Sequence, residues 1–417
     1  MNESSCNLAK SILINTWGAP FGVSGTFAMK KSICMLAYTH YETDNRVRRY
    51  AEELARRGDH VDVIALNHGD SLPARENING VALYRIQRRN YDERRKWTFA
   101  WRLLRFLMVS SVFLARRHRE FRYDLIHVHN IPDFLVFAAS YPKWTGAKLI
   151  LDIHDIVPEL FASKFKSRAG SIYIWFLKII EKASAKFADH VIVSNHLWHE
   201  TLISRSVPEA KCSVFLNSVD LSIFYRHPRT RDDGKVIVLF PGSFQWHQGL
   251  DLAIEAFVRV RKQFPCAEFH LYGGRGGSEH GLLQLAESLG VGGSVKIFEG
   301  VPIDQMPGVI ANADLGVVPK RADSFGNTAY STKIMEFMSQ GVPIVVSRTK
   351  IDSYYFDDDT VRFFPSGDIE AMANAMVEVI ENKTLRNNLV RRGFEYVKLN
   401  NWDVCKKNYL ALVDSLV

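Results

Sequence analysis

The sequence predicts an α/β protein built from two doubly wound, Rossmann-like domains that face each other across a cleft. Short apolar runs alternate with amphipathic helical stretches from about residue 32 onward, which is typical of a parallel sheet covered on both faces. The alternation breaks once, in the polar stretch HPRTRDDGK, and then resumes. The length of 417 residues also exceeds what one hydrophobic core usually supports.

The elements fall into two series on either side of that break. Apolar runs predict buried strands at 33–38, 60–66, 124–129, 147–154, 190–195, 236–240, 268–273, 295–300, 315–319 and 343–347. We therefore expect an N-terminal arm (1–31), an N-terminal domain (32–220), a linker (221–234), a C-terminal domain (235–400) and a C-terminal helix (401–417). A return of that last helix to the N-terminal domain stays open.

Cysteine usage and hydropathy favour a cytoplasmic protein that does not span a membrane. The five cysteines are scattered and form no C-x-x-C pair, which fits neither a disulfide framework nor a zinc site. Residues 11–29 are mildly apolar but contain Asn15 and Pro20, so we expect a loose arm in preference to a signal peptide. Arg102 and Arg105 interrupt the apolar stretch 99–114, which argues against a spanning helix.

The turns after the strands are the candidate sites, because ligands of open α/β sheets bind beyond the carboxyl ends of the strands. The turn PGSFQWHQG contains Gly242, which permits a close approach of the backbone to a ligand, although an ordinary turn would look the same. The turn that begins at Gly273 reads GGRGGSE and superficially resembles a dinucleotide fingerprint. It lacks the G-x-G-x-x-G spacing and the acidic residue after the next strand, so a dehydrogenase is disfavoured.

The segment 318–347 is the most informative part of the chain. Ser331 and Thr332 predict the start of a helix that ends at Gly341. Glu336 lies within this helix in the apolar run IMEFM, and a carboxylate is costly to bury without a partner. Two interpretations stay open: a helix residue that faces solvent, and a carboxylate that accepts hydrogen bonds from the ribose hydroxyls of a nucleotide.

This segment resembles the nucleotide-sugar site of retaining glycosyltransferases of the GT-B fold, particularly the large family-4 group. The resemblance runs from about residue 33 to the C-terminus and depends on the order and spacing of several motifs. These are RVRRYAEELARRGDHVDVIAL (46–66), YDLIHVHN (123–130), LILDIHDIVPE (149–159), VFLNSVD (214–220), PGSFQWHQGLDLAIEAF (241–257), FEGVP (298–302), SGDIEAMANAM (366–376) and the strand GVPIVVS (341–347).

The resemblance implies a role for each matching position. The family has two glutamates separated by seven residues, of which the second falls on Glu336 and would bind ribose. Backbone N–H groups near Ser331 and Thr332 would bind the donor diphosphate, a leaving group that gains negative charge as the glycosidic bond breaks. The first glutamate, which contacts the donor sugar in the family, is replaced here by Thr328.

The glycine turn also departs from the family. Its usual Arg and Lys fall on Ser243 and Gln248, which are uncharged. We expect Lys333 to supply some of the missing charge, with Lys320 and Arg321 as weaker candidates. A solvated helix lysine is the open alternative for Lys333.

Two residues of the N-terminal half complete the implied site. His154, in DIHD, matches the family's active-site histidine, although a structural histidine between Asp152 and Asp155 would show the same pattern. Asn217 matches a loop between the domains, with a hinge role or a donor contact. The resemblance implies transfer with retention through a front-face, oxocarbenium-like transition state, with a nucleotide-sugar (UDP- or GDP-linked) as substrate and neither cofactor nor metal.

The acceptor side is predicted from charge. Residues 1–205 contain 30 Lys and Arg against 20 Asp and Glu, and the excess is greatest between residues 85 and 122. Arg95, Arg102, Arg105 and Arg116 fall on one arc of a helix that is otherwise largely apolar and contains Trp101. Such a helix suits an anionic bilayer, so we expect peripheral binding to the inner membrane face and a lipid-linked acceptor from bacterial polysaccharide assembly. An ordinary amphipathic helix on the first sheet is the alternative.

Three rival functions are also compatible with parts of the sequence. A catalytically weak or dead sugar-nucleotide-binding scaffold is favoured by Thr328, Ser243 and Gln248. A nucleic-acid binder would use the basic N-terminal half, but no recognisable nucleic-acid-reading motif is present, so no nucleic acid is expected. An epimerase would share the two-domain architecture and use nucleotide-sugars without an acceptor.

Overall fold

The computed structural model describes residues 30–67, 69, 72–88, 96–162, 168–273 and 279–417. The predicted arm lies outside these residues except for Lys30 and Lys31, and so do Arg95 and the glycines of the GGRGG turn after Gly273.

The first domain contains an eight-stranded sheet with the order β3-β4-β2-β1-β5-β6-β7-β8, in which only the β3–β4 pair is antiparallel. Its strands are β1 (Ser32–Ala37), β2 (His60–Asn67), β3 (Arg75–Ile78), β4 (Val81–Arg88), β5 (Leu125–His129), β6 (Lys148–Ile153), β7 (His190–Val193) and β8 (Cys212–Val214). Its helices are α1 (Asn45–Arg57), α2 (Lys96–Phe121), α3 (Ser140–Trp144), α4 (Val157–Ala162), α5 (Arg168–Phe187) and α6 (His196–Arg205).

The second domain contains a six-stranded parallel sheet with the order β11-β10-β9-β12-β13-β14. Its strands are β9 (Val236–Pro241), β10 (Ala267–Tyr272), β11 (Val295–Phe298), β12 (Leu315–Val318), β13 (Ile344–Arg348) and β14 (Arg362–Pro365). The remaining helices are α7 (Leu250–Gln263), α8 (Glu279–Ser288), α9 (Met306–Ala311), α10 (Thr332–Gln340), α11 (Lys350–Tyr355), α12 (Ile369–Glu381), α13 (Lys383–Leu399) and α14 (Trp402–Leu416).

The central strands are buried on both faces, as their unbroken apolar runs predicted. In β1, Ile33 packs into the core on one face of the first sheet and Cys34 into the core on the other. The register places Ile33 opposite Val61 of β2 and Leu125 of β5, so neighbouring apolar side chains share a layer.

Local signals fix the ends of helix α1. The Asp44 side chain accepts hydrogen bonds from the backbone N–H groups of Arg46 and Val47, which satisfies two of the free donors of the first turn. Gly58 ends the helix at φ 103°, a left-handed conformation that glycine adopts without steric cost. These two caps set the direction in which α1 leaves the edge of the first sheet.

Helix α14 returns from the second domain to the first. Trp402, Cys405 and Tyr409 are buried in the same core as Tyr50 of α1. The backbone N–H of Trp402 also donates to the carbonyl of Val219, which lies just before the second domain. The chain therefore crosses between the domains twice, at neighbouring positions.

The sequence reading missed four strands, β3, β4, β8 and β14. The first two form a hairpin whose turn contains Asn79 at φ 52° and Gly80 at φ 86°. An Asn-Gly pair between alternating apolar residues is a strong hairpin signal, and it was available in the sequence.

Candidate functional site

A cavity of about 580 Å³ lies between the domains, at the carboxyl ends of strands from both sheets. From the first domain it is lined by Thr39, Asp44, Arg46, His154, Asp155 and Ser194, and from the second by Ser243, Gln248, Lys320, Ser331, Thr332 and Lys333. This is where ligands of such sheets bind. Seven of the predicted site residues, including His154 and Lys333, line the same space.

The glycine turn after β9 approaches helix α10 closely. Gly242 has φ 134°, and its N–H donates to the carbonyl of Tyr272 over 2.7 Å. A Cβ at this position would lie 2.5 Å from Cε of Lys333. A larger residue here would strain the backbone at this φ and push the end of the Lys333 side chain aside, so Gly242 lets the lysine pass close over the turn.

Lys333 is the cation of this part of the cavity. Its Nζ lies 5.1 Å from the centroid of the Phe240 ring and 3.5 Å from Oε1 of Gln248. It forms no ion pair with any residue that the structure describes. Burial lowers the pKa of the Lys333 ammonium to about 8, against a smaller opposing effect of Glu336. A partly desolvated cation without a bonded anion is suited to receive an anionic ligand.

Glu336 lies one helical turn after Thr332 and faces a second cavity, of about 290 Å³. Thr332 and Asn217 line both cavities, so the two spaces adjoin. Burial raises the pKa of Glu336, and the nearby Lys333 and a hydrogen bond from Thr332 act in the opposite direction. The Glu336 side chain is only partly exposed and faces helix α1 across the cleft. Glu336 is therefore not an ordinary helix residue that faces solvent.

Ser331 precedes the first residue of α10 with extended backbone, as predicted, but its side chain does not cap the helix. Its Oγ is buried and has no hydrogen-bond partner among the described residues. A buried hydroxyl without a partner is unfavourable. The start of α10 therefore offers an unused hydroxyl to the cavity, in addition to the backbone N–H groups of its first turn.

His154 follows β6 and is fixed through its backbone. Its N–H donates to Oδ1 of Asn130 over 3.0 Å, and its carbonyl accepts from Oγ of Ser194 over 3.1 Å. Nδ1 of His154 is buried without a partner among the described residues. The imidazole is thus placed on the cavity wall opposite helix α10, with one ring nitrogen unused.

A buried ion pair that the sequence reading missed anchors the strand that leads to His154. Arg46 donates to both carboxylate oxygens of Asp152, over 2.7 and 2.8 Å, and to the carbonyl of Phe215 over 2.9 Å. His129 Nδ1 lies 3.1 Å from the same carboxylate. His127, His129 and Asp152 converge closely enough to hold a metal ion, but Arg46 already occupies both carboxylate oxygens. The Arg46 guanidinium holds the pKa of Asp152 well below its usual range.

Thr328 does not line the cavity, contrary to the role in sugar binding that its position suggested. Its Oγ1 accepts a hydrogen bond from Nε1 of Trp198 over 3.0 Å, and its carbonyl accepts from Asn195 over 3.1 Å. Phe325 of the same loop is buried in the core of the first domain. This loop therefore fastens the second domain to the first.

The weaker cation candidates are also engaged elsewhere. Lys320 is buried and pairs with Asp352 over 2.9 Å. Arg321 makes a two-pronged ion pair with Asp251 and lies over the Trp246 ring. Of the three cations that the sequence singled out, Lys333 is the one without an ion pair to a described residue. Asn217 accepts a hydrogen bond from Arg49 of helix α1 and lines both cavities, and its predicted hinge role or donor contact stays a prediction.

The predicted basic helix is α2, and the stretch Thr98–Phe121 is long and apolar enough to cross a membrane by length and composition alone. Phe106 and Leu114 nevertheless pack in the core of the first domain, and Arg117 pairs with Asp62 over 2.9 Å. Arg105 and Arg116 are exposed and Arg102 is half-buried. The helix therefore covers the sheet with one face and leaves its other face to the surroundings.

Comparison with known proteins identifies both domains. Residues 43–218 match the family model described as glycosyl transferase 4-like domain, and residues 223–396 match glycosyl transferases group 1. An uncharacterized glycosyltransferase of Methanocaldococcus jannaschii is 27% identical over 71% of this chain and 74% of its own length. The lipopolysaccharide core biosynthesis glycosyltransferase LpsE of Rhizobium meliloti is 30% identical over 38% of this chain and 44% of its own.

The fold is confirmed by solved structures. The Anabaena protein HepE in complex with UDP superposes with a TM-score of 0.67 at 15% identity, over 92% of this chain and all of that one. At this level of identity the likeness concerns the fold alone. It confirms the predicted arrangement of two Rossmann-like domains.

Proposed function

Because the chain belongs to the group 1 glycosyltransferases of the GT-B fold, we propose that it transfers a sugar from a UDP- or GDP-sugar to an acceptor, with retention of anomeric configuration. One observation carries the proposal: Lys333, with no ion pair among the described residues, passes over the Gly242 turn beside the unused hydroxyl of Ser331. A diphosphate would satisfy both groups.

Each group then has a defined task. Lys333 and the N–H groups at the start of α10 stabilise the charge that develops on the departing diphosphate. Glu336 accepts hydrogen bonds from the ribose hydroxyls, and the second cavity receives the nucleoside. His154 faces the transferred sugar from the first domain, and the departing phosphate takes the proton of the acceptor hydroxyl.

The reaction requires neither a metal nor a cofactor, since Lys333 and the helix start supply the positive charge. The similarly folded HepE was solved in complex with UDP, so UDP is the first nucleotide to test.

Nucleotide binding tests the donor site directly. Calorimetry with UDP, GDP, ADP and dTDP should detect one preferred nucleotide, and Glu336→Ala should weaken its binding by about 1 kcal/mol or more. Glu336→Gln, which keeps the shape but removes the charge, separates hydrogen bonding from packing. The exposed Glu395→Ala serves as the matched control. Absence of binding to every nucleotide would refute the proposal.

A scaffold that binds the donor without turnover is the second candidate. It is favoured by the uncharged Ser243 and Gln248 and by the hydrogen bond that ties Thr328 to Trp198, away from the cavity. Release of free nucleotide from the bound nucleotide-sugar, in the presence of extracted bacterial lipid-linked acceptors, distinguishes the two functions. Binding without any release over hours would favour the scaffold.

We also propose that a lipid-linked acceptor reaches the cleft from the inner membrane face, where the protein is bound peripherally. The LpsE relative, named for lipopolysaccharide core biosynthesis, favours an acceptor of this class. Helices α2 and α5 both contact the Asp133–Ala139 segment on one face of the first sheet. Their outer faces expose large apolar side chains, namely Trp101, Leu104, Met108, Val112, Ile172, Trp175, Phe176 and Ile179.

The charge around this surface fits an anionic bilayer. Arg105, Arg116, Lys178 and Lys182 are exposed on the same two helices, and Glu120 is the one exposed acidic residue within the described parts of either helix. Basic residues beside exposed tryptophans are the composition of an interfacial helix.

Co-sedimentation with vesicles tests this surface. The protein should be recovered with vesicles that contain phosphatidylglycerol and not with pure phosphatidylcholine. The double variant Trp101→Ala/Trp175→Ala should lose recovery, whereas Trp246→Ala, equally exposed on the second domain, should keep it. Equal recovery with both lipids would refute membrane binding through charge.

A further inference from the structure

The cavity between the domains contains two carboxylates, and both belong to the first domain. Among the described residues they are Asp44 and Asp155, and no described residue of the second domain adds a carboxylate to the lining. Asp44 is already used, because its Oδ1 accepts the N–H groups of Arg46 and Val47 at the start of α1. The Asp155 carboxylate forms no hydrogen bond or ion pair with any described residue.

Asp155 is held by a backbone clamp. The buried amide of Asn130 accepts hydrogen bonds from the N–H groups of His154 and Asp155, over 3.0 and 3.4 Å. The same amide donates to the carbonyl of Asp155 over 2.7 Å and to Oδ1 of Asp133 over 2.9 Å. Because the backbone of residues 154 and 155 is fixed in this way, the Asp155 side chain starts from a fixed point on the cavity wall beside His154.

No described residue donates a hydrogen bond to the carboxylate in that position, and its side chain is only partly exposed. Burial accordingly raises the pKa of Asp155, and the adjacent His154 opposes this rise. Ligand hydroxyl groups would supply the missing donors, and hydrogen bonds from hydroxyls to a carboxylate are about twice as strong as neutral ones. A hexose presents several such hydroxyls at once.

We propose that Asp155 is the carboxylate that accepts hydrogen bonds from the hydroxyls of the transferred sugar, in place of a carboxylate at position 328. The inference rests on the proposed function, because it concerns the donor sugar of the same cavity. It explains how the cavity can select a sugar without Thr328. The Thr328 hydroxyl accepts a hydrogen bond from Trp198 and belongs to the contact between the two domains. The neighbouring His154 would then contact the same sugar from the adjacent position of the loop.

The test compares a nucleotide with its own sugar conjugate. Calorimetry is carried out with UDP, UDP-glucose, UDP-galactose, UDP-N-acetylglucosamine, GDP and GDP-mannose, and the pair that wild type binds most tightly is kept. Asp155→Asn should bind the free nucleotide within about twofold of wild type. Its affinity for the nucleotide-sugar should fall by about tenfold or more, the scale of one lost charge-assisted hydrogen bond. Thr328→Val should leave the nucleotide-sugar preference unchanged.

Controls separate this inference from structural damage and from the function on which it rests. Asp358→Asn, at an exposed turn paired with Arg348, should behave as wild type in every titration. Unchanged affinity of Asp155→Asn for the nucleotide-sugar would overturn the role of Asp155 while leaving the donor site intact. An equal loss of affinity for nucleotide and nucleotide-sugar would also overturn it. Failure of wild type to bind any of the six compounds would instead refute the proposed function.

Discussion

The charge state of Lys333 gives the sharpest prediction about the donor site. Burial lowers the pKa of its ammonium to about 8, and Glu336, Lys320 and Asp352 are the charged groups around it. A bound diphosphate would raise that pKa again. Lys333 must therefore be protonated in the complex. The affinity for the nucleotide is complete below pH 8, where free Lys333 is already protonated, and is lost as the pH rises above 8.

The magnitude follows from this pKa. At pH 9 about one free protein in ten has Lys333 protonated, so nucleotide affinity should be about tenfold lower than at pH 6.5. At pH 8.5 binding should take up about three-quarters of a proton. Lys333→Met should lose the charge-assisted contact, with affinity at pH 7 reduced by about tenfold or more.

Calorimetry in two buffers of different ionisation enthalpy measures the proton uptake. The uracil or guanine base also titrates at high pH, and Lys333→Met provides the matched correction because it retains only the contribution of the nucleotide. Proton uptake at pH 8.5 that is equal in wild type and Lys333→Met would refute the assignment of Lys333 to the diphosphate.

Three further predictions concern the groups that shape the cleft. Gly242→Ala should weaken nucleotide binding at least tenfold, because its Cβ would displace Lys333; Gly290→Ala, with φ 75° and open space around it, should leave calorimetric affinity unchanged. Trp198→Phe should lower the free energy of unfolding by about 1 kcal/mol, through the lost hydrogen bond to Thr328, in denaturant titrations where exposed Trp101→Phe has no effect. Arg46→Met should cost about 3–5 kcal/mol in the same titrations because the buried Asp152 loses its arginine and keeps only histidines as partners, against at most about 1 kcal/mol for Arg348→Met at its exposed pair with Asp358. Equal losses for the two arginine variants would contradict the burial argument.

The sequence predicted those parts of the fold that depend on local pattern. The buried strands β1, β2 and β5 are short runs in which apolar residues predominate, and α1 and α10 begin and end at residues suited to those positions. The β3–β4 hairpin was not predicted although Asn79 and Gly80 signal its turn, because β3 is short and polar and lacks an apolar run.

The parts of the site that could not be predicted depend on contacts between distant residues. Arg46 meets Asp152 from 106 residues away, and Trp198 reaches Thr328 from 130 residues away. No local pattern in a single sequence indicates such a contact. The same limit applies to the proposed role of Asp155, which depends on there being no carboxylate among the described residues on the second domain's side of the cavity.

The double crossing between the domains has a consequence for the order in which the protein acquires its structure. Tyr409 and Trp402 complete a core that otherwise belongs to the first domain, and Tyr409 also hydrogen-bonds His127 of β5 over 2.9 Å. During synthesis the ribosome makes the whole second domain before it makes these residues. The first domain is therefore translated first, but its core is completed last. Until α14 has been made, the apolar surface that α14 covers stays exposed, and chaperones bind exposed surface of this kind.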